Sequence, residues 1–215
     1  RGDLRGGDFQ ALAESLTGQL FVQLDHVDIA AWRQWIDFPV HFPHGTGALR
    51  AWLTFARNEL SAITADVQLQ DVRAKLGAEL PELDMLQLGG RFSWKQAGDG
   101  FEVATRKLSF TTGDHLTLQP VDMTARLSAG RSGAYARGEV HANAIELVPL
   151  AKLADRLPLD AAFRKLLADH APSGSMYDVS VRWADAGAPG MTYAVRGRFQ
   201  ELALRDSDGK FRYQF

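Results

Sequence analysis

Alternation of apolar and polar side chains, repeated in segment after segment, is what most limits the folds open to this chain. Successive side chains of a strand point to opposite faces, so a period of two gives every segment one apolar and one polar face. Leu20, Val22 and Leu24 alternate with Gln19, Gln23 and Asp25, and Phe21 is the exception on the polar side. Leu49, Ala51, Leu53 and Phe55 share a face, as do Ile63, Ala65, Val67 and Leu69, and then Leu86, Leu88, Phe92 and Trp94 with Gly90 between them. The pattern runs on through Phe101, Val103 and Thr105, Leu116 and Leu118, Met123, Ala125 and Leu127, and from Ala134 to Ala144. It resumes with Tyr177, Val179, Val181 and Trp183, and again with Tyr193, Val195, Gly197 and Phe199. The breaks are turn-like: Arg57-Asn58-Glu59, Ala97-Gly98-Asp99-Gly100, Thr112-Gly113-Asp114, Ala129-Gly130-Arg131-Ser132-Gly133 and Ala186-Gly187-Ala188-Pro189-Gly190. Short Gly- and Asp-bearing connections of this kind join antiparallel neighbours. The chain therefore reads as mainly β, built of long antiparallel strands.

Two kinds of segment depart from that rhythm. From Val148 to His170, Leu150, Leu153, Ala154 and Leu157, then Ala162, Phe163, Leu166 and Leu167, recur at helical spacing, with Pro158 separating two short helices. The helical insertion is placed at about 148–171, ended by Ala171-Pro172-Ser173-Gly174. Shorter helical pieces are expected around Phe9 to Leu16 and Ile29 to Ile36. A faint internal repeat links two of these regions. Gly18 opens a strand leading into Val27-Asp28-Ile29 and a helical Ala30-Ala31-Trp32, and Gly138 opens one leading into Ile145-Glu146-Leu147 and Val148-Pro149-Leu150. Amphipathic strands resemble one another readily, so chance similarity stands beside a repeating β architecture whose units bury their faces against neighbours.

Composition narrows the functional classes. Twenty-four Lys and Arg against 26 Asp and Glu leave a formal charge of −2, which gives no electrostatic footprint for nucleic acid. The absence of cysteine excludes disulfides, thiol catalysis and Cys-based zinc sites. No apolar run approaches the roughly 20 residues of a membrane-spanning helix. The chain starts at Arg1 with no leader-like segment and is expected to be a piece of something longer; Arg1-Gly2-Asp3 spells a common tripeptide without structural context.

Motifs that carry chemistry are scarce. His41-Phe42-Pro43-His44, with His26 and Asp37 near in sequence, is the most metal-like spacing, yet it lacks a further ligand cluster and reads as a Pro-containing loop with solvated histidines. Asp25, Asp28, Asp66, Asp71 and Asp122 fall at strand ends or on polar faces, where solvation accounts for them. Gly45-Thr46-Gly47 lacks the third glycine of a dinucleotide fingerprint and precedes a strand. No nucleophile elbow, Walker loop or His-Glu-x-x-His occurs. The expectation is a non-enzymatic chain with no catalytic residue, no metal site and no cofactor. What remains is the apolar face, with five Trp and 12 Phe in the chain, enough to pack a sandwich or to line a trough. Alternation alone fits both.

The runs Gly18 to Trp35 (GQLFVQLDHVDIAAWRQW) and Ile63 to Trp94 (ITADVQLQDVRAKLGAELPELDMLQLGGRFSW) resemble the AsmA-like group of large periplasmic proteins, and within it the YhdP-like family. The shared elements are a strand running through Val-Asp-Ile into a Trp-bearing helix, and Ala-x-Val-x-Leu-x-Asp-Val leading to Leu-x-Leu-x-Gly-Gly-x-Phe, with one residue fewer between Leu88 and Phe92 than a loose reading needs. The likeness runs from about Gly18 to Glu146, and less clearly to Leu204. It implies a large curved antiparallel sheet forming a groove, with 1–215 a single fragment of a longer β-groove protein. It further implies a role in lipid transport: a segment of a periplasmic, inner-membrane-anchored protein of the Gram-negative cell envelope that carries phospholipid between membranes and so serves outer membrane biogenesis. The implied partners are phospholipid acyl chains, the inner membrane through an anchor outside this chain, and an outer-membrane partner. On this reading the groove-lining residues are Leu20, Val22, Leu24, Leu53, Phe55, Val67, Leu69, Leu88, Phe92 and Val103. The competing expectation is a β-sandwich with a dry core that acts as a spacer or binds a protein through an exposed sheet edge. A carbohydrate-binding module is a third, resting only on Trp52 and Tyr135 lying opposite their apolar neighbours.

Overall fold

The computed structural model describes residues 17–34, 41–56, 59–77, 79–129, 135–157, 159, 161–185, 191–205 and 211–214. Its strands are β1 (Gly18–Asp28), β2 (His41–Ala56), β3 (Glu59–Lys75), β4 (Leu83–Ala97), β5 (Gly100–Thr112), β6 (Thr117–Ala129), β7 (Tyr135–Glu146), β8 (Ser173–Asp185), β9 (Met191–Arg205) and β10 (Phe211–Gln214). All ten lie in one sheet in chain order, each antiparallel to the next. The alternation in the sequence is thus realised as an open meander, and the described strands form no second sheet to close over it. The sheet is also tall: β3 has 17 residues, about 55 Å of chain at roughly 3.3 Å per residue.

Two helices, α1 (Leu147–Leu153) and α2 (Ala161–His170), joined through a 3-10 turn at Ala154–Arg156, form the insertion between β7 and β8. Leu147, Pro149, Leu153, Ala154 and Leu167 are buried, so the insertion is seated by its apolar side chains. Leu153 completes a cluster with Val27, Leu69, Val72, Ala74, Leu83, Met85 and Leu88. The helices therefore reach from the end of β7 back to the ends of β3 and β4 and cover the apolar face there.

The pattern seen at Gly18 and Gly138 appears twice in the same form. β1 ends at Asp28 and passes straight into a 3-10 helix at Ile29–Gln34, and β7 ends at Glu146 and passes straight into α1. Asp28 Oδ1 accepts the Ala30 N–H at 3.0 Å and caps the first of these, whereas Glu146 makes no side-chain cap. The expected helix from Ile29 is a 3-10 turn over the described part. The helix expected at Phe9 to Leu16, residues Trp35, Ile36 and Asp37, Pro158, and the turns at 57–58, 130–133 and 186–190 lie outside the described residues.

Three local readings need correction. His41-Phe42-Pro43-His44 and Gly45-Thr46-Gly47 belong to β2 itself, which starts eight residues before the alternation at Leu49 makes it visible. Two glycines there serve close approach: a Cβ at Gly45 would press within 2.6 Å of Ile29 Cδ1, and one at Gly47 would strike the Gln68 carbonyl. Leu86, expected on the same face as Leu88, is 41% exposed, while Met85 and Leu83 are buried. The cause is a bulge. Asp71 takes a left-handed φ of 50°, the β2–β3 register shifts between His44 and Thr46, and the alternation changes phase, so Val72 and Ala74 join Leu69 on the buried face and their partners Met85 and Leu83 follow.

Truncating Leu153, 3% exposed, removes the side chain that ties the helices to the sheet. Leu153→Ala is expected to cost about 2–5 kcal/mol, read as a lowered urea midpoint at an unchanged m-value.

Candidate functional site

Register converts ten separate apolar faces into rows. Leu20 pairs with Leu53, Leu53 with Ile63, Ile63 with Trp94, Trp94 with Val103, Val103 with Ala125, Ala125 with Val140, Val140 with Val181 and Val181 with Val195. Paired residues of an antiparallel ladder lie on the same face. One uninterrupted apolar line therefore crosses nine strands, about 38 Å at roughly 4.8 Å per strand. A second line, Val22, Ala51, Ala65, Phe92, Thr105, Met123, Ala142 and Val179, runs beside it, and a third joins Val27, Gly47, Leu69, Leu88, Phe110 and Leu118.

Exposure grades across these lines. No member of the first is buried; Leu20 is 50% and Val195 61% exposed. The second mixes half-buried positions with the buried Ala51, Thr105, Ala142 and Val179, and in the third Val27, Leu69 and Leu88 are buried in the cluster that Leu153 completes. The sheet thus has a dry end under α1 and an apolar band left open to solvent at the other. Next to the open band a further row joins Phe101, Leu127, Gly138, Trp183 and Tyr193. The Trp183 ring occupies the space beside Gly138, where any Cβ would collide with it. The apolar surface so formed is continuous and large, whereas a scatter of single exposed apolar residues would call for no explanation.

All ten residues expected to line a groove fall on this one face. Leu20, Leu53 and Val103 sit in the open row, and Phe55 lies two residues beyond Leu53 on β2, paired with Gly18. Val22 and Phe92 occupy the second line; Leu24 and Val67 pair with Leu49 between lines. Leu69 and Leu88 are buried and belong to the dry cluster. Ile63, Trp94, Val140, Val181 and Val195 stand in the open row as well, although they were not singled out from sequence. Their alternation was visible, but only register shows that they continue the row of Leu53.

The opposite face is organised by charge. A single register row reads Lys95, Glu102, Arg126, Glu139, Arg182, with signs alternating strictly. Glu102 binds Lys95 at 3.0 Å and Arg126 at 2.6 Å, and Glu139 pairs with Arg182 and with His141. Phe21, the exception in the alternation of β1, stacks across the strand on Trp52 with ring centroids 5.2 Å apart, and the Arg91 guanidinium lies 5.6 Å from the Trp52 ring centroid. Trp52 is thus engaged by Phe21 and Arg91 of the protein itself. The aspartates have structural work: Asp66 accepts two hydrogen bonds from Arg91 at 2.5 and 2.7 Å, and Asp122 accepts the Lys107 N–H at 2.7 Å where β5 bulges. Among the described residues no group of three His, Cys, Asp or Glu could hold a metal ion, and no helix is long and apolar enough to cross a membrane.

Comparison with known proteins adds one finding. A family model described as YhdP protein matches residues 1–213. No curated protein and no solved structure gives a match.

The charged row makes a signed prediction. Hydrogen bonds from Arg126 and then Lys95 lower the pKa of Glu102, and those from Arg182 and then His141 lower that of Glu139. A carboxylate held below its unfolded value contributes stability above that value, about 4.3, and loses it as pH falls through the folded one. The double variant Lys95→Gln/Arg126→Gln should be less stable than the parent at pH 7, with the difference in urea midpoint closing as pH drops below about 4. An unchanged difference at low pH would mean that the row does not act through ionised carboxylates.

Proposed function

The chain belongs to the YhdP family, and we propose that it is a non-enzymatic lipid-handling segment whose open apolar band shields the acyl chains of phospholipid as they pass along the sheet. The observation that carries this reading is the row from Leu20 to Val195, apolar at every position across nine strands and buried at none. A sandwich built for a dry core would bury that row under a second layer, and the described residues supply cover only at the α1 end. The interaction needs no catalytic group: burial of each methylene contributes about 0.8 kcal/mol, and a continuous apolar band imposes no site at which a moving chain must stop. The unbroken row runs across the strands, so travel along it passes from one strand to the next and exchanges like contacts for like. The helices are a plug in this scheme, because Leu147, Leu153 and Leu167 hold them down on the covered end. Work between inner and outer membrane in the periplasm, as part of a protein anchored in the inner membrane, is the setting that the family suggests.

The test is native mass spectrometry with organic extraction on the chain purified without detergent from a Gram-negative host. Phospholipid should co-purify with the parent and be lost from Leu20→Asp/Leu53→Asp/Val103→Asp, which alters the open row and leaves the buried cluster intact. Circular dichroism and urea unfolding establish that the variant is folded. A folded parent free of lipid, or a folded variant that retains it, would sink the proposal and favour the dry spacer.

A further inference from the structure

The polar face carries a second charged row that breaks the rule kept by the first. Arg50 pairs in register with Asp66, Asp66 with Arg91, and Arg91 with Arg106, so the row holds three guanidinium groups to one carboxylate and two arginines stand directly opposite each other. Like charges in that position are unfavourable, and the neighbouring row of Lys95 to Arg182 avoids them at every step. Asp66 is already committed to a two-pronged pair with Arg91. The bulge at Lys107, φ 52°, adds a fourth cation beside Arg106. Arg50, Arg106 and Lys107 make no ion pair among the described residues.

These side chains wall a depression of about 750 Å³ whose floor is the row Ala48, Gln68, Gly89 and Ser109. Ala48, Gly89 and Ser109, small residues on the floor between long charged ones, leave room at the level of the guanidinium groups. Asp25 and Asp122 also line it, and Asp122 spends one carboxylate oxygen on the Lys107 N–H. Arg50, Arg106 and Lys107, none of them in an ion pair among the described residues, therefore face Asp25 and Asp122 across an open hollow, with Arg50 also acting at longer range on the Asp66 that Arg91 holds.

We propose that this depression is an anion site that takes the phosphate group of a phosphate-bearing ligand. Arginine presents paired N–H donors matched to phosphate oxygens, and an anion held in the depression would relieve the like-charge contact between Arg91 and Arg106 that the sheet otherwise bears. The site lies on the face opposite the apolar band and stands or falls independently of acyl-chain binding.

The experiment is a titration of the whole chain with inorganic pyrophosphate at low salt, followed by calorimetry. Saturable binding that weakens as salt is added is expected. Arg50→Gln/Arg106→Gln should weaken it by at least about tenfold, while Arg126→Gln/Arg182→Gln, which removes as many cations from the alternating row, should leave it within about twofold. All four positions are exposed, and thermal melts followed by circular dichroism check that both variants fold. No saturable binding by the parent, or equal loss in the two variants, overturns the site. Two further arms identify the source. Binding to phosphatidylcholine vesicles doped with phosphatidylglycerol, lost in Arg50→Gln/Arg106→Gln, assigns the site to a lipid headgroup; binding of glycerol phosphate without vesicle binding assigns it to a soluble phosphate ester.

Discussion

Everything in this molecule depends on the hydrogen-bonded register of its antiparallel ladders. Alternation within one strand only sorts side chains between two faces. The registered pairs from Leu20 to Val195 make those faces continuous by placing each apolar residue beside the next one over. A slip of one residue at any ladder would carry every later side chain to the wrong side. The same pairing aligns Lys95, Glu102, Arg126, Glu139 and Arg182 on the reverse face, so one constraint fixes an oily surface and an ionic one together.

The single layer leaves the protein with an energetic asymmetry. At the covered end Val72 is wholly buried and the apolar cluster has a helix above it; at the open end the side chains keep much of their contact with water. Hydrophobic stabilisation scales with area removed from solvent, so the covered end supplies more of the folding free energy per residue. The open end retains unspent apolar surface, the property a surface needs if it is to bind something apolar reversibly. Cross-strand ion pairs on exposed positions offset little of that, since each is worth at most about 1 kcal/mol.

Much of the fold was legible in the sequence because two strong periodicities, one of two and one near 3.6, marked strands and helices, and short Gly-bearing breaks marked consecutive pairing. The ten groove candidates could be placed on one face for the same reason. What the sequence concealed were the phase changes. Nothing about Asp71 announces a left-handed backbone, yet it moves Val72 and Ala74 inward, and the inversion reaches β4, where Met85 is buried and Leu86 is not. The start of β2 was hidden by Pro43 and two glycines, residues that usually punctuate strands but here allow Ile29 and the β3 backbone to approach closely. The ion-pair row and the misfit row of arginines were also out of reach, because both exist only between strands. Phe21 did give a signal, as the lone apolar residue on its side, and the structure explains it by Trp52.

The meander itself bears on how such a sheet comes apart and comes together. Each strand pairs only with its neighbours in the chain, so most contacts close short loops and the topology favours early, local zippering over a search for distant partners. The exception is the seating of Leu153 on the cluster of β3 and β4, which closes a long loop and holds β3 through β7 as one cooperative block. β8 and β9 lie beyond that clasp, and residues 192–200 of β9 are exposed throughout. Hydrogen exchange should accordingly fall into a gradient, with amides of β3 and β4 opening only with the whole molecule and those of residues 192–200 in β9 opening by local fraying.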